Sequence, residues 1–447
     1  MDLQSYEQVL KLINKIFKIP RSITGDGVKK TLHIFEEFLE FNYKFVPTGE
    51  YIDSWTVPSG WEVEDCDLIV NGINQIDYFD NNLHSMIHSH NFYAKGKLKE
   101  FKNNIYYNSI LPDAIPYVTS YYAKNKGICI SKNMYQRFEN KNVEINLQTK
   151  FFDSDLTIAE CTIPGISDKE VIINTYLCHP AMANNELSGP LASLILFQKL
   201  LKRKNYFTYK LVICPETIGA LAYNKYNLEE ENNKIIYGLV LTCLGGPSKK
   251  ITYKKSKEYE YKNLFNDHIS NYKDIIKTEF DPTSGSNERQ FNYPTVKLPY
   301  GQFSKTTYGT YDEYHNSKDN IEFLKINDLL NTVDKIYKII IDFENKNKNF
   351  KQIENNKYLA STNQIGNLQA VNNFGEPFLS NLNLYHSIND NGADENRFGQ
   401  LKAFKNNLLQ FLNKADGTNL PEILQNQFNI NNDTLEILIK NKILKIN

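Results

Sequence analysis

Val171-Ile172-Ile173-Asn174-Thr175-Tyr176-Leu177-Cys178-His179-Pro180 is the stretch on which the reading of this chain turns. A short run of mainly apolar, β-branched and aromatic residues suits a strand buried on both faces of a parallel sheet. It ends on a histidine and a proline. Downstream, Pro190 to Leu201 reads as an apolar helix, with the proline where a first helical turn tolerates it. Tyr209-Lys210-Leu211-Val212-Ile213-Cys214 and Ile235 to Leu241 read as two more buried strands. Leu329, Val333, Ile336 and Ile340 recur at helical spacing and predict a closing amphipathic helix. Strands alternating with helices imply an α/β fold whose mixed, mostly parallel sheet is flanked by helices. In such sheets, sites form at the carboxyl ends of strands.

The flanking segments read differently. Val9, Leu10, Ile13, Ile16 and Phe17 form one helical face, and Ser22 to Gly27 a turn. Val28, Leu32, Phe35 and Leu39 form a second helical face. Residues 1–46 are assigned, with 151–345, to the α/β domain. Between them, short alternating runs such as Val143-Glu144-Ile145-Asn146-Leu147 take over. Asn71-Gly72 beside Asp67-Leu68-Ile69-Val70 is a hairpin signal. Residues 47–150 therefore read as a small inserted β-rich domain, predicted to wall the cleft. Lys346 to Asn356 is polar and reads as a linker. In 357–447, Phe404, Leu408, Leu409 and Leu412 mark one helix, Pro421 to Asn426 and Asp433 to Lys440 two shorter ones, and Lys442 to Ile446 a strand. That pattern is winged-helix-like.

Composition narrows the function. A chain of 447 residues exceeds one ordinary core, so two or three domains are expected. A formal net charge of −1 supplies no global field toward nucleic acid or anionic membrane. No apolar run reaches the ~18 residues a membrane span needs. The start Met1-Asp2-Leu3-Gln4 lacks a signal-peptide pattern, so a cytoplasmic protein is expected. The six cysteines show no CxxC spacing and read as buried reduced thiols. His84, His88 and His90 lie in the insertion with no evident acidic partner and read as a surface cluster rather than a metal site.

Three motifs hold the residues that chemistry requires. They are Cys178-His179-Pro180 with Asn184-Asn185-Glu186-Leu187-Ser188-Gly189, then Pro215-Glu216-Thr217-Ile218-Gly219, then Tyr311 to Asn320 around His315. Hydrolysis of an amide at neutral pH needs an activated water, which zinc supplies by lowering the water's pKa to about 7. The ion needs imidazole or carboxylate ligands and an open position. A nearby carboxylate must take the water's proton. His179 and His315 suit the ligand role and Glu216 the base. Each also has a plain alternative: a hydrogen-bonded structural histidine, or a carboxylate at a helix N-terminus. Ser188 lacks the G-x-S-x-G elbow and reads as a helix cap.

These motifs, with Ser284-Gly285-Ser286-Asn287-Glu288-Arg289-Gln290, Tyr314-His315-Asn316-Ser317, Asp53 to Pro58 and Ile115 to Tyr122, resemble a bacterial family of aminopeptidase-like proteins related to the M28 zinc aminopeptidases. The resemblance covers nearly the whole chain. It implies an M28-like domain interrupted by a small β domain and followed by a winged helix, zinc, and peptidase-like chemistry. It also implies a link with surface-carbohydrate biosynthesis. His179 matches the first histidine ligand, Glu216 the catalytic glutamate and His315 the last histidine ligand. Asn185 stands at the bridging aspartate and Thr217 at the second glutamate of a Glu-Glu pair. Thr242-Cys243-Leu244-Gly245-Gly246 lacks an expected aspartate, and Asn287 replaces another. Without those carboxylates a two-zinc site is poorly neutralised. One zinc on His179, His315 and an oxygen from Glu186 or Asn185 remains, against an empty, degenerate site. Arg289 suits a two-pronged contact to a substrate carboxylate, or else a structural ion pair with Glu288 or another acid. Glu288, Arg289 and Tyr308 make up the expected substrate-contacting set.

The sequence reading is therefore a metal-dependent amide hydrolase acting on a peptide or an amino-sugar conjugate. Its rivals are a non-catalytic binding protein with a degenerate metal site and a DNA-binding regulator. The C-terminal charges are mixed rather than basic, so nucleic acid is not the expected partner, nor is a membrane. Homo-oligomerisation is left open.

Overall fold

The computed structural model describes residues 2–231, 234–258, 264–348, 366–382, 384 and 395–447. Eight strands form the main sheet: β1 (Asn42–Pro47), β2 (Asp155–Ile163), β3 (Glu170–Tyr176), β4 (Thr208–Cys214), β5 (Ile235–Leu241), β6 (Thr252–Lys254), β7 (Ile276–Thr278) and β8 (Tyr300–Ser304). Their order is β1-β2-β4-β3-β5-β8-β6-β7. The middle four, β4, β3, β5 and β8, run parallel. β1 and β2 are antiparallel additions at one side, and β6 is antiparallel to β8. Every residue of β3 is buried, which is why it reads as an unbroken run rather than an alternation.

The two faces of β3 enter different cores. Val171 and Ile173 pack with α1 (Tyr6–Ile16), α2 (Asp26–Phe35), α3 (Ser188–Leu201) and α5 (Ile326–Asn347), through residues such as Ile13, Leu32, Leu194 and Ile336. Ile172 points the other way. It joins Leu221 of α4 (Ile218–Glu231) and Leu408 and Leu412 of the C-terminal part. Helices thus cover both faces. Helix α1 starts on a capping box, in which Ser5 accepts from the Gln8 amide and Gln8 reaches back to the Ser5 amide.

Helix α3 is buried nearly all round. It begins at Ser188, two residues before the proline that marked its start in the sequence, after a π-helical turn over Ala183–Leu187. Ser188 is not the cap expected of it. The cap position is Leu187, and the Ser188 hydroxyl donates to the Asn184 carbonyl while accepting from the Leu244 amide at 2.9 Å. Gly189 admits the helix to the sheet: a Cβ there would meet the Leu241 carbonyl oxygen and the Thr175 hydroxyl at 2.4 Å each.

The segment between β1 and β2 carries a separate four-stranded antiparallel sheet, ordered Ile73–Asn74, Gly60–Val70, Asn142–Phe152, Phe92–Lys97. Asn71 and Gly72, both at positive φ, make the tight turn that pairs Val70 with Ile73. At the other end, helices Glu395–Lys414, Pro421–Phe428 and Asn432–Lys440 accompany a two-stranded antiparallel sheet of Leu368–Ala370 and Leu444–Ile446. Lys346 and Asn347, read as linker, belong to α5, and the linker from residue 349 on lies outside the described residues. Among the described residues no helix is long and apolar enough to cross a membrane.

Candidate active site

The chain leaves β3 for β4 on one side and reaches β5 on the other, so connections diverge at the carboxyl end of β3. That divergence opens the crevice in which α/β sheets place their sites. His179 follows β3, Glu216 follows β4, and Thr242 and Cys243 follow β5.

His179 is only 4% exposed. Its Nδ1 lies 2.8 Å from Glu186 Oε2 and 3.4 Å from Cys178 Sγ. Its Nε2 lies 3.6 Å from Glu216 Oε2. With Nδ1 held by a carboxylate, Nε2 is the nitrogen presented to an ion, the arrangement that orients metal-binding histidines. Burial works against a charge on this imidazole, but Cys178 and Glu186 outweigh it and hold its proton affinity well above that of free histidine.

Glu186, one of the two oxygen ligands considered, stands on the Nδ1 side of this imidazole. It is fully buried, accepts from the Cys178 amide, and has Oε1 3.7 Å from Arg21 Nε. Arg21, itself 1% exposed, donates from Nε to the His179 carbonyl at 3.0 Å and from Nη1 to the Ile16 carbonyl at 2.7 Å. A buried carboxylate needs strong partners, and here an imidazole and an amide hydrogen-bond it while a guanidinium supplies the nearby opposite charge. The ligand-type atoms of Cys178, His179 and Glu186 do lie within 4.8 Å of one another. A cation on that side would face the Arg21 guanidinium, so the Nε2 side is the favourable one.

Glu216 is the more open carboxylate, with its side chain 27% exposed. Its amide donates to Cys178 Sγ at 3.3 Å, and Oε1 accepts from the Ser286 hydroxyl at 2.7 Å. Burial raises its pKa, with His179 and Ser286 pulling back. A raised carboxyl pKa suits a group that must both take and return a proton near neutrality.

The His315 ring centroid is 5.5 Å from that of His179. Two imidazoles sharing a zinc at about 2.0–2.1 Å each have centroids no more than roughly 6.5 Å apart, so the pair is spaced for a common ion. Asn185 adds an oxygen. It is 2% exposed, its amide nitrogen donates to the Tyr176 hydroxyl at 3.0 Å, and its Oδ1 is buried with no hydrogen-bond partner. A buried acceptor left without a donor is costly, and a cation would satisfy it. Two imidazoles and one amide oxygen thus fit a single ion.

The positions where the resemblance calls for further carboxylates are neutral and already engaged. The Thr217 amide donates to Asn287 Oδ1 at 2.8 Å, and Asn287 Nδ2 donates to Asn174 Oδ1 at 2.9 Å. Cys243 Sγ lies 3.8 Å from Asn185 Nδ2. A carboxylate-bridged pair of ions does not fit this donor set.

Ala181, Thr217, Cys243 and His315 all have positive φ, between 46° and 62°. Such backbone costs on the order of 1–3 kcal/mol per residue and gathers where side chains must be aimed. Asp319 anchors the crevice beneath them. Fully buried, it accepts from the amides of Ala183, Asn184 and Asn185 at 3.2, 2.6 and 2.8 Å and shapes the turn that delivers Asn185 and Glu186.

The expected substrate-contacting residues are largely occupied. Glu288 is fully buried, held by Lys254 Nζ at 2.7 Å and by the Ser286 amide. Lys254 Nζ also donates to the Tyr308 hydroxyl at 2.8 Å, which in turn donates to Gln302 Oε1 at 2.9 Å. Arg289 makes its two-pronged contact to Glu376, with Nε to Oε1 at 2.9 Å, and Glu376 is the acid of the structural ion pair. The histidines of the insertion are not a surface cluster. His84 and His88 are buried, His84 on the Cys129 carbonyl at 2.9 Å and His88 among Trp61, Tyr121 and Phe151. They lie inward because ring stacking and a backbone carbonyl compensate their desolvation. All six cysteines are buried and free. Sequence reasoning missed Arg21, Ser286, Asp319 and Tyr117, whose motifs were legible but whose partners lie far along the chain.

Comparison with known proteins agrees with this architecture. Residues 10–346 match a family described as a domain of unknown function, DUF4910. A Clostridium acetobutylicum protein assigned by name to polysaccharide biosynthesis, with an aminopeptidase-like domain, is 31% identical over 419 residues, covering 92% of this chain and 89% of the relative. The crystal structure of a C. acetobutylicum protein described as a peptidase superposes with a TM-score of 0.71 at 27% identity, covering 99% of this chain and 96% of that one. An M28 peptidase precursor from Shewanella amazonensis gives a TM-score of 0.52 at 12% identity over 76% of this chain and 94% of its own, a likeness of fold alone. The chain belongs to the DUF4910 family and has the M28 aminopeptidase-like α/β fold.

Proposed function

We propose that this chain is a metal-dependent amide hydrolase of aminopeptidase type, acting on a peptide or an amino-sugar conjugate in the cytoplasm as part of surface-carbohydrate biosynthesis. The observation that carries the reading is the division of His179, with Nδ1 on Glu186 at 2.8 Å and Nε2 facing Glu216 at 3.6 Å. His179, His315 and Asn185 would hold one zinc ion, which supplies an activated water and polarises the scissile carbonyl. Glu216 takes the proton released from the attacking water and delivers it to the leaving amine. Ser286 holds one oxygen of Glu216, so the other faces the reaction.

The second reading, a binding protein with a degenerate metal site, draws support from the neutral residues at Asn185, Thr217 and Cys243. Two measurements separate the readings. Elemental analysis of protein purified without chelators should find about one zinc per chain under the hydrolase reading. Glu216→Gln keeps shape and removes the base, and should lower turnover of aminoacyl anilides or N-acyl amino sugars by about 10²–10⁴-fold with metal retained. Undiminished turnover in Glu216→Gln excludes it as base. If Glu186→Gln abolishes turnover with metal retained while Glu216→Gln does not, Glu186 rather than Glu216 is the base. Metal-free protein that turns over neither class supports the binding reading.

A further inference from the structure

The segment 115–121, far from both histidine motifs in sequence, reaches into the crevice. Residues 115–117 lie against 315–317 as a short antiparallel pair. The Ser317 amide donates to the Ile115 carbonyl and the Tyr117 amide to the His315 carbonyl, each at 2.9 Å. The Ile115 amide donates to the Ser317 hydroxyl at 2.9 Å, and Pro116 bridges Asn316. His315 is the residue at φ 57 in this pair. A strained backbone of that kind persists only where its surroundings over-determine it, and three hydrogen bonds from the insertion do so here.

The Tyr117 side chain adds a second constraint. It is 6% exposed, and its ring centroid lies 5.2 Å from that of His179 and 5.0 Å from that of His315. One ring therefore touches both members of a pair that are 5.5 Å apart. Tyr117 belongs to a buried apolar cluster against which Tyr121 packs. The Tyr121 hydroxyl accepts from the Ile23 amide at 3.3 Å, in the turn after Arg21, and its ring rests on His88 at 4.4 Å. The wedge is thus braced from behind by the α1–α2 turn and by the insertion's own core. It cannot swing away without breaking contacts in both.

We propose that Tyr117 is a positioning residue, supplied by the inserted segment, that sets the spacing of His179 and His315. The insertion then completes the metal-binding pair rather than only walling the cleft. The proposal rests on reading those histidines as the ligands of one ion. Ligand groups must sit within about 0.5 Å of their working geometry, and losing an outer support typically costs about 10–100-fold in metal affinity.

The test uses the full chain stripped of metal, titrated with zinc alone and cobalt alone. Tyr117→Ala should bind zinc about 10–100-fold more weakly than wild type, with an altered cobalt absorption spectrum. Tyr117→Phe, which keeps the ring, should restore both to near the wild-type values. Crystal structures of the metal-free proteins should show the two imidazoles displaced by more than about 0.5 Å in Tyr117→Ala and not in Tyr117→Phe. Wild-type zinc affinity and unmoved rings in Tyr117→Ala overturn the proposal. If wild type binds neither metal, the hydrolase reading fails, and the ring displacement still decides whether Tyr117 sets the spacing. If Tyr117→Ala does not fold, Tyr117→Leu takes its place with the same readouts.

Discussion

Replacing Arg21 by methionine probes the support beneath His179. The substitution keeps an unbranched chain of similar reach and deletes the charge. It removes donors to the His179 carbonyl at 3.0 Å and the Ile16 carbonyl at 2.7 Å, and the cation 3.7 Å from Glu186. Both ion-pair side chains are fully buried, so no water replaces what is lost. Breaking a buried pair from one side typically costs about 3–5 kcal/mol, because the other charge is stranded. That is roughly a 10²–10⁴-fold shift in the folding equilibrium. The exposed pair Lys15–Glu37, with side chains 50% and 37% exposed, is the internal control, and breaking it should shift the unfolding midpoint far less than Arg21→Met does. Urea unfolding followed by tryptophan fluorescence reads both. A double-mutant cycle with Glu186→Gln separates the charge effect from lost packing. Once Glu186 is neutral, Arg21→Met should cost at least about 1.5 kcal/mol less than it does alone. A loss below about 1 kcal/mol for Arg21→Met, or a cycle that closes to zero, would refute the argument that Arg21 neutralises Glu186.

Other perturbations test other parts of the account. Asp319→Ala strands the backbone amides of Asn184 and Asn185, while the Ala183 amide keeps the backbone carbonyl of residue 319, and should cost about 2–4 kcal/mol in unfolding free energy; it should also weaken zinc binding, and unchanged binding by titration calorimetry would separate Asp319 from the site. Lys257 is half-buried, donates to the Asn413 carbonyl at 2.8 Å, and has a pKa lowered by desolvation to about 8. The unfolded chain keeps that proton up to its higher, ordinary lysine value, so the penalty is full below pH 8 and fades as pH rises from there toward about 10.4. Lys257→Met should therefore gain on wild type at pH 7.5, and that gain should shrink by about 3 kcal/mol by pH 10.5 in paired urea titrations; a pH-independent difference would mean the ammonium is not desolvated.

Much of the fold follows from local pattern. The buried runs in β3, β4 and β5 begin and end within a residue or so of where their composition changes, because a strand covered on both faces must be apolar throughout. The helical faces of α1, α2 and α5, and the Asn71-Gly72 turn, are equally local. Strand-end placement singled out His179, Glu216 and His315. The crevice gathers them because connections diverge beside β3. What local pattern did not carry was the division of labour among carboxylates. Glu186 and Glu216 are both acids in strand-end motifs, and no periodicity separates a support from a base. Arg21, 158 positions from His179, decides it by facing Glu186 in the dry interior. Tyr117, Asp319 and Ser286 likewise act through partners far along the chain. The sequence by itself determined which segments fold and which residue types crowd the strand ends, since burial and spacing act over a few residues. Only the tertiary structure decided which polar group meets which, since that depends on where buried charges find their partners once water is gone.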